Sequence, residues 1–284
     1  MSLKDILVHL DDRRNNEMRL RLACDLARRH GAHLTGLFVI EPPSFAGFAM
    51  PGGAAGVEIE AWQAIQAKQR EARLAVGRKL EATFGEALRA AGIAGEWRIS
   101  DGDTGDLVTL QARYADLVVI GQSGPDDQGR GAAVPQSVLI GSGRPVLIIP
   151  YVGSFETLGR RVMVAWNATR EAARALNDAL PLLVQAEAVT VLSVNPERGI
   201  AGEGDVPAAD IALHLARHGV KAEAAHVVVE DVPVGDALLS RAADLGSDLI
   251  VMGGYGHSRL REFALGGATR TLLDHMTVPT LLSH

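Results

Sequence analysis

Short apolar runs alternate with longer segments in which Leu and Ala recur at helical spacing, from one end of the chain to the other. Lys4–Asp11 (KDILVHLD) is an apolar run that stops at a small polar residue. Met18–Arg29 follows, with Leu20, Leu22, Ala23 and Leu26 on one helical face. Ala32–Ile40, Glu96–Ser100, Ala115–Gly121 and Pro145–Pro150 read as further strands, and Glu58–Ala91 and Gly105–Tyr114 as helices. The same order then returns. Strands are predicted over Arg160–Asn167, Ala188–Asn195, Ala222–Val229, Leu249–Met252 and Pro279–Ser283, and helices over Gly235–Leu245 and Ala268–His275. A helix of about three turns precedes the third strand of this second half.

Placing Asp11 on Asn167 puts Leu20 on Leu176 and Cys24 on Leu180, so the chain is an internal repeat. The fourth strands, ADLVVIG and SDLIVMG, are nearly the same words. Strands alternating with helices of this length imply a parallel sheet covered on both faces, an α/β fold. Tyr151–Gly159 is the expected linker, giving domains over 1–152 and 158–284. The halves differ after their second strands. Glu41–Gly56 is rich in Pro, Gly and Ala with two Phe and a Met, and its counterpart Pro196–Pro207 is shorter. Such a loop suits a lid or a partner surface, or simply an irregular surface segment.

Asp248–Thr269 (DLIVMGGYGHSRLREFALGGAT) carries the candidate chemistry. A buried-strand pattern runs into Gly253 and Gly256, and nine residues later Gly266 and Gly267 open a helix. Glycine admits positive φ and a close ligand approach, and a helix's first turn offers free N–H groups to an anion. GxxG, nine residues, then GGAT resembles the nucleotide-binding motif of the universal stress protein family. The ending TVPTLLSH resembles that family's closing strand.

The resemblance spans nearly the whole chain twice. It implies two tandem flavodoxin-like, adenine-nucleotide α-hydrolase-like domains, each a five-stranded parallel sheet flanked by helices. Val146–Ile149 and Thr280–Leu282 would pair edge to edge, covering two strands that would otherwise invite aggregation. It implies an adenine nucleotide, ATP or AMP, in the second half, with Mg²⁺ accompanying ATP. Ala165, Trp166, Asn167 and Val194 would hold adenine and ribose. Met252, Gly253, Gly256, Gly266, Gly267, Ala268 and Thr269 would lie along the phosphates. His257, inside the nine-residue spacer, is either a further phosphate contact or an exposed loop residue. The implied role is in stress response or signalling, with slow ATP hydrolysis at most; the alternative is a scaffold or adaptor that binds no nucleotide.

Two positions depart from the family pattern. Asn167 stands where an acid is usual, and Gly267 where a hydroxyl is usual. Thr269, Arg259 or Arg270 are candidates to compensate, and Trp166 either stacks on a base or fills the pocket. In the first half Asp11, Gly121 and Gly124 keep the pattern, but Ala132, Ala133 and Pro135 replace the later residues. Pro135 removes a backbone donor near a helix start. Weak or absent nucleotide binding is expected there.

Composition narrows the picture further. Aromatics are 4% of a chain of 284 residues, so the core is expected to be Ala, Val, Leu and Ile. A net charge of −6 argues against nucleic-acid or anionic-membrane partners. No apolar run has transmembrane length, and MSLKDILVHLDD is unlike a signal peptide, so a cytoplasmic location is expected. An intramolecular pseudo-dimer, with or without further homodimerisation, is the expected assembly. Cys24, the single cysteine, is expected in the core. His214 and His218 stand i, i+4 without a third metal ligand, and DGDTGD (Asp101–Asp106) reads as a turn leading a helix.

Overall fold

The computed structural model describes residues 2–13, 15–42, 55–124, 134–196, 208–255 and 267–284, with the backbone alone over 55–62. The first half runs β1 (Asp5–His9), α1 (Asn16–His30), β2 (His33–Ile40), α2 (Ala55–Ala91), β3 (Gly95–Asp101), α3 (Thr104–Ala112), β4 (Leu117–Gly121), α4 (Val134–Gly141) and β5 (Val146–Ile149). The second runs β6 (Arg161–Trp166), α5 (Arg170–Leu183), β7 (Ala188–Val194), α6 (Ala209–Arg217), β8 (Ala222–Val227), α7 (Val234–Asp244), β9 (Leu249–Gly253), α8 (Gly267–His275) and β10 (Thr280–Ser283). Each predicted strand and helix within the described residues is present. β8 stops at Val227, short of the expected Val229, whose N–H instead bonds Asn195 Oδ1 at 2.8 Å.

All ten strands form one sheet in the order β3-β2-β1-β4-β5-β10-β9-β6-β7-β8. Neighbours within each half are parallel, and β5 meets β10 antiparallel, Leu147 opposite Leu281. The expected edge-to-edge joint is therefore the centre of the molecule. Val146, Leu147, Ile148, Leu281 and Leu282 are fully buried there. Each such side chain contributes about 1.5–3 kcal/mol by burial, so the halves share one core rather than touching as separable bodies.

Two apolar layers cover the sheet. One joins α1, α2, α5 and α6 through residues such as Leu26, Phe84, Leu176 and Leu215. The other joins α3, α4, α7 and α8 through Val108, Leu139, Leu238 and Leu272. Cys24 lies in the first layer, and burial pushes its thiol up to about 11. Because side chains alternate along a strand, successive residues at each strand's end face different layers.

The linker is bonded to both halves. Asn15 Nδ2 donates to the Gly153 carbonyl at 3.4 Å, and Arg29 donates to the Leu158 carbonyl at 2.8 Å. Thr157 Oγ1 donates to Asp248 Oδ2 at 2.7 Å. Asp248 also accepts from the Arg160 and Arg161 N–H groups at 3.1 and 2.9 Å. Asp116 does the same for Lys4 and Asp5 at 2.7 and 3.1 Å. The repeated Asp of the fourth-strand words is thus a clamp on the first strand of its own half.

Candidate functional site

In an open parallel sheet, ligands bind beyond the carboxyl ends of the strands, where the turns leave backbone groups free. In the second half, β6 brings Ala165 beside Met252 of β9 and Leu192 of β7. Ala165, Val194, Met252, Tyr255 and Ala268 belong to the layer under α7 and α8. Trp166, one residue on, packs against the opposite layer beside α5. Five of these neighbours are therefore gathered on one face, and Trp166 is turned away as a packing residue.

Asn167 is exposed just beyond β6. Its Oδ1 accepts from Thr169 Oγ1 at 2.8 Å, and Thr169 caps α5 by accepting from the Ala172 N–H at 3.3 Å. This use of the carbonyl oxygen leaves the two amide N–H donors for a ligand. α8 begins at Gly267, which is exposed, and a Cβ there would meet nothing within 4 Å. Thr269 is buried and accepts the Tyr255 N–H on Oγ1 at 3.2 Å, tying α8 back to the turn after β9. Tyr255 itself has φ 57, and its phenol is pushed up to about 12 by burial and by nearby Asp274. Gly256, His257, Gly266 and Arg259 lie outside the described residues. Arg270 is exposed and pairs with Asp274 at 3.6 Å.

Gly253 has a structural requirement of its own. A Cβ on it would lie 2.5 Å from the Ala172 nitrogen and 2.6 Å from the Glu171 carbonyl carbon. The strand end and the first turn of α5 can approach this closely only because Gly253 lacks a side chain. Glu171 is buried beside it. Burial works against its charge, but the hydrogen bond from Arg170, a backbone hydrogen bond and the nearby positive charge together outweigh it and hold the carboxyl below its ordinary range.

The first half builds the matching corner differently. Asp11, just beyond β1, is buried and receives Arg19 Nη2 at 2.8 Å. Burial pushes the Asp11 carboxyl up, yet Arg19, with His9 and the Arg13 N–H, outweighs it and brings the group down to about 2. A Cβ at Gly121 would lie 3.0 Å from Arg19 Nη1. His9, also buried, is held down at about 4, chiefly by desolvation. Pro135 sits in the first turn of α4, where a helix has no use for its missing N–H, and Ala132 and Ala133 lie outside the described residues. Gln122, in the turn after β4, crosses the central joint. Its Nε2 donates to the Leu273 and Asp274 carbonyls at the end of α8, at 2.9 and 3.3 Å.

The pairing of Arg19 with Asp11 is not evident from either residue alone. The repeat does carry a signal, since Arg19 falls on Ala175, a fully buried position with no charge to offer. Among the described residues no group of three His, Cys, Asp or Glu is placed to hold a metal ion. His214 and His218 stack edge to face at 4.7 Å. Asp103 of DGDTGD caps α3 through the Asp106 N–H at 3.0 Å. No helix among the described residues is long and apolar enough to cross a membrane.

The same architecture is found in solved structures. The chain aligns with a universal stress protein from Archaeoglobus fulgidus at 17% identity and a TM-score of 0.72, over 98% of this chain and 95% of that one. It aligns with a functionally unknown protein from Pseudomonas aeruginosa at 14% identity and a TM-score of 0.60, over 99% and 92%. At these identities the likeness is one of fold. No curated protein matches the chain. The sequence profile of the universal stress protein family matches residues 2–150 and again residues 159–284. With nearly the whole chain covered in two copies, and the fold shared, this two-domain chain belongs to the universal stress protein family.

Proposed function

We propose that the second domain binds one adenine nucleotide, ATP or AMP, and that the protein serves a stress-response or signalling role through that binding. The observation that carries this reading is that Asn167, beyond the end of β6, and Gly267, at the start of α8, are both exposed. Asn167 keeps its amide donors for the edge of a base, and a Cβ on Gly267 would meet nothing within 4 Å. The helix start favours an anion through its dipole and free N–H groups. Ala165, Val194 and Met252 supply an apolar floor beside it. Gly256, His257 and Gly266 complete the phosphate side by the family's motif, with Mg²⁺ entering as the nucleotide's own counter-ion.

Calorimetric titration with ATP, ADP and AMP tests the proposal. Heat fitting one nucleotide per chain is expected, and it should vanish in Gly256→Val. Absence of heat with all three nucleotides sinks it. A second reading, an adaptor without nucleotide, is favoured by Gly253 and Thr269, each of which has a packing or turn-closing reason to be what it is. Adenine nucleotide released on denaturing the freshly purified protein would exclude that second reading.

A further inference from the structure

One guanidinium holds together three separate segments of the first domain. Arg19 is 2% exposed and reaches from α1 toward the ends of β1 and β4. Its Nη2 donates to Asp11 Oδ1 at 2.8 Å and to Asn16 Oδ1 at 3.3 Å, and its Nη1 lies 3.5 Å from Asp11 Oδ2. The carboxylate is fixed from behind. The Arg13 N–H donates to Asp11 Oδ1 at 3.1 Å, and the Asp11 N–H donates to Asn16 Oδ1 at 3.0 Å. Gly121 comes close on another side, since a Cβ there would lie 3.0 Å from Arg19 Nη1 and 3.1 Å from its Cζ. Arg19 Nε is buried without a hydrogen-bond partner. Recognition therefore runs through the two terminal nitrogens, as the planar fork of a guanidinium allows and an ammonium does not. The second domain has Ala175 in the matching place and Asn167 for the acid.

We propose that the corner formed by Asp11, Asn16 and Gly121 is a receptor for a monosubstituted guanidinium group, with Arg19 as its tethered occupant. Cutting the tether leaves a site for a free guanidinium compound of the same shape. While Arg19 is in place, the face of the Asp11 carboxylate turned toward α1 is taken by the chain's own guanidinium, whatever the second domain binds.

The test uses the full chain and methylguanidinium as the probe. Arg19→Ala should lower Tm by roughly 5–10 °C, because it strands a buried carboxylate. Adding methylguanidinium at about 20 mM, far below the molar range in which guanidinium unfolds proteins, should recover a large part of that loss. Ethylammonium and sodium at equal ionic strength should not. Wild type, where Arg19 fills the corner, should show no gain, and neither should Arg19→Ala/Asp11→Asn, where the carboxylate is gone. If Arg19→Ala does not fold in plain buffer, its refolding yield with methylguanidinium and with ethylammonium replaces Tm as the readout. Equal effects of the two cations, or rescue that persists without Asp11, overturn the proposal. Since no nucleotide enters the experiment, its failure is distinct from failure of the nucleotide reading.

Discussion

The two domains present the same strand ends to solvent and treat them in opposite ways. The first keeps the acid that the family pattern favours, yet Asp11 is buried and bound to Arg19. The second has only an amide, yet Asn167 is exposed with donors to offer. The difference lies eight residues on, where one half has Arg19 and the other Ala175. A motif residue is therefore available to a ligand only if its neighbours leave it so. Judged by the motif letters at this position alone, the first domain would rank higher, and the geometry reverses that order.

The largest expected effect separates these two positions directly. Asp11→Asn removes the counter-charge of a buried guanidinium and should destabilise the protein by about 3–5 kcal/mol in urea unfolding. Asn167→Asp, at an exposed position before a helix, should change stability by no more than about 0.5 kcal/mol. Equal losses at the two sites would show that burial of the pair is not what distinguishes them.

Acid should reveal the same asymmetry in two steps. His9 has a folded value of about 4 against an ordinary 6.5, so the unfolded chain takes up its proton first. Its contribution is complete above about pH 6.5 and is lost as the pH falls toward about 4, a change of about 3 kcal/mol. Asp11 follows. Its folded value of about 2 lies below its ordinary 3.8, so its stabilisation, about 2 kcal/mol, is lost between those values as the pH falls. The residue matching His9 in the second half is Ala165. Stability against pH, measured by urea midpoints, should lose the upper step in His9→Ala and the lower one in Asp11→Asn.

The next comparison is between glycines of one motif. Gly253→Ala drives a methyl onto the backbone of Glu171 and Ala172 and should destabilise by about 1–3 kcal/mol. Gly121→Ala meets only the end of the Arg19 side chain, so the same thermal melts should show a smaller loss. A larger loss at Gly121 would mean that Arg19 has less freedom to move than the α5 backbone.

Much of this architecture is legible in the chain itself. Period and repeat predict the strands and the parallel sheet, because apolar runs buried on both faces have few ways to assemble; the pairing of Val146–Ile149 with Thr280–Leu282 is legible only through the family resemblance. Strand ends are less legible, since Val228 and Val229 continue the apolar run of β8 but leave the sheet. Side-chain direction is legible only by alternation, which places Trp166 opposite Ala165 once β6 is fixed. The partner of Asp11 is legible only by comparing the halves. The direction of a long arginine depends on tertiary neighbours such as Gly121 that no local pattern names. Asp248 opens the motif stretch, and its role as a clamp on Arg160 and Arg161 is likewise a tertiary fact.

The smallest expected change in stability belongs to Gly267, and it bears most directly on function. Nothing lies within 4 Å of a Cβ at that position, and its φ is not in the left-handed region, so Gly267→Ser needs no rearrangement. Serine at the start of α8 restores the hydroxyl that the family pattern places there. Stability should move by no more than about 0.5 kcal/mol, as for other exposed substitutions. If the nucleotide's phosphates lie at the start of α8, one added hydrogen bond worth about 0.5–1.5 kcal/mol should tighten ATP binding by about two- to tenfold. The matching region of the first domain offers no such gain, because Asp11 remains bound to Arg19 whatever is changed at α4. Calorimetry that finds tighter ATP binding in Gly267→Ser with an unchanged Tm therefore places the ligand at α8. Unchanged affinity in a variant this well tolerated would move the phosphates away from that helix and weaken the assignment of Gly267 and Ala268 to the site.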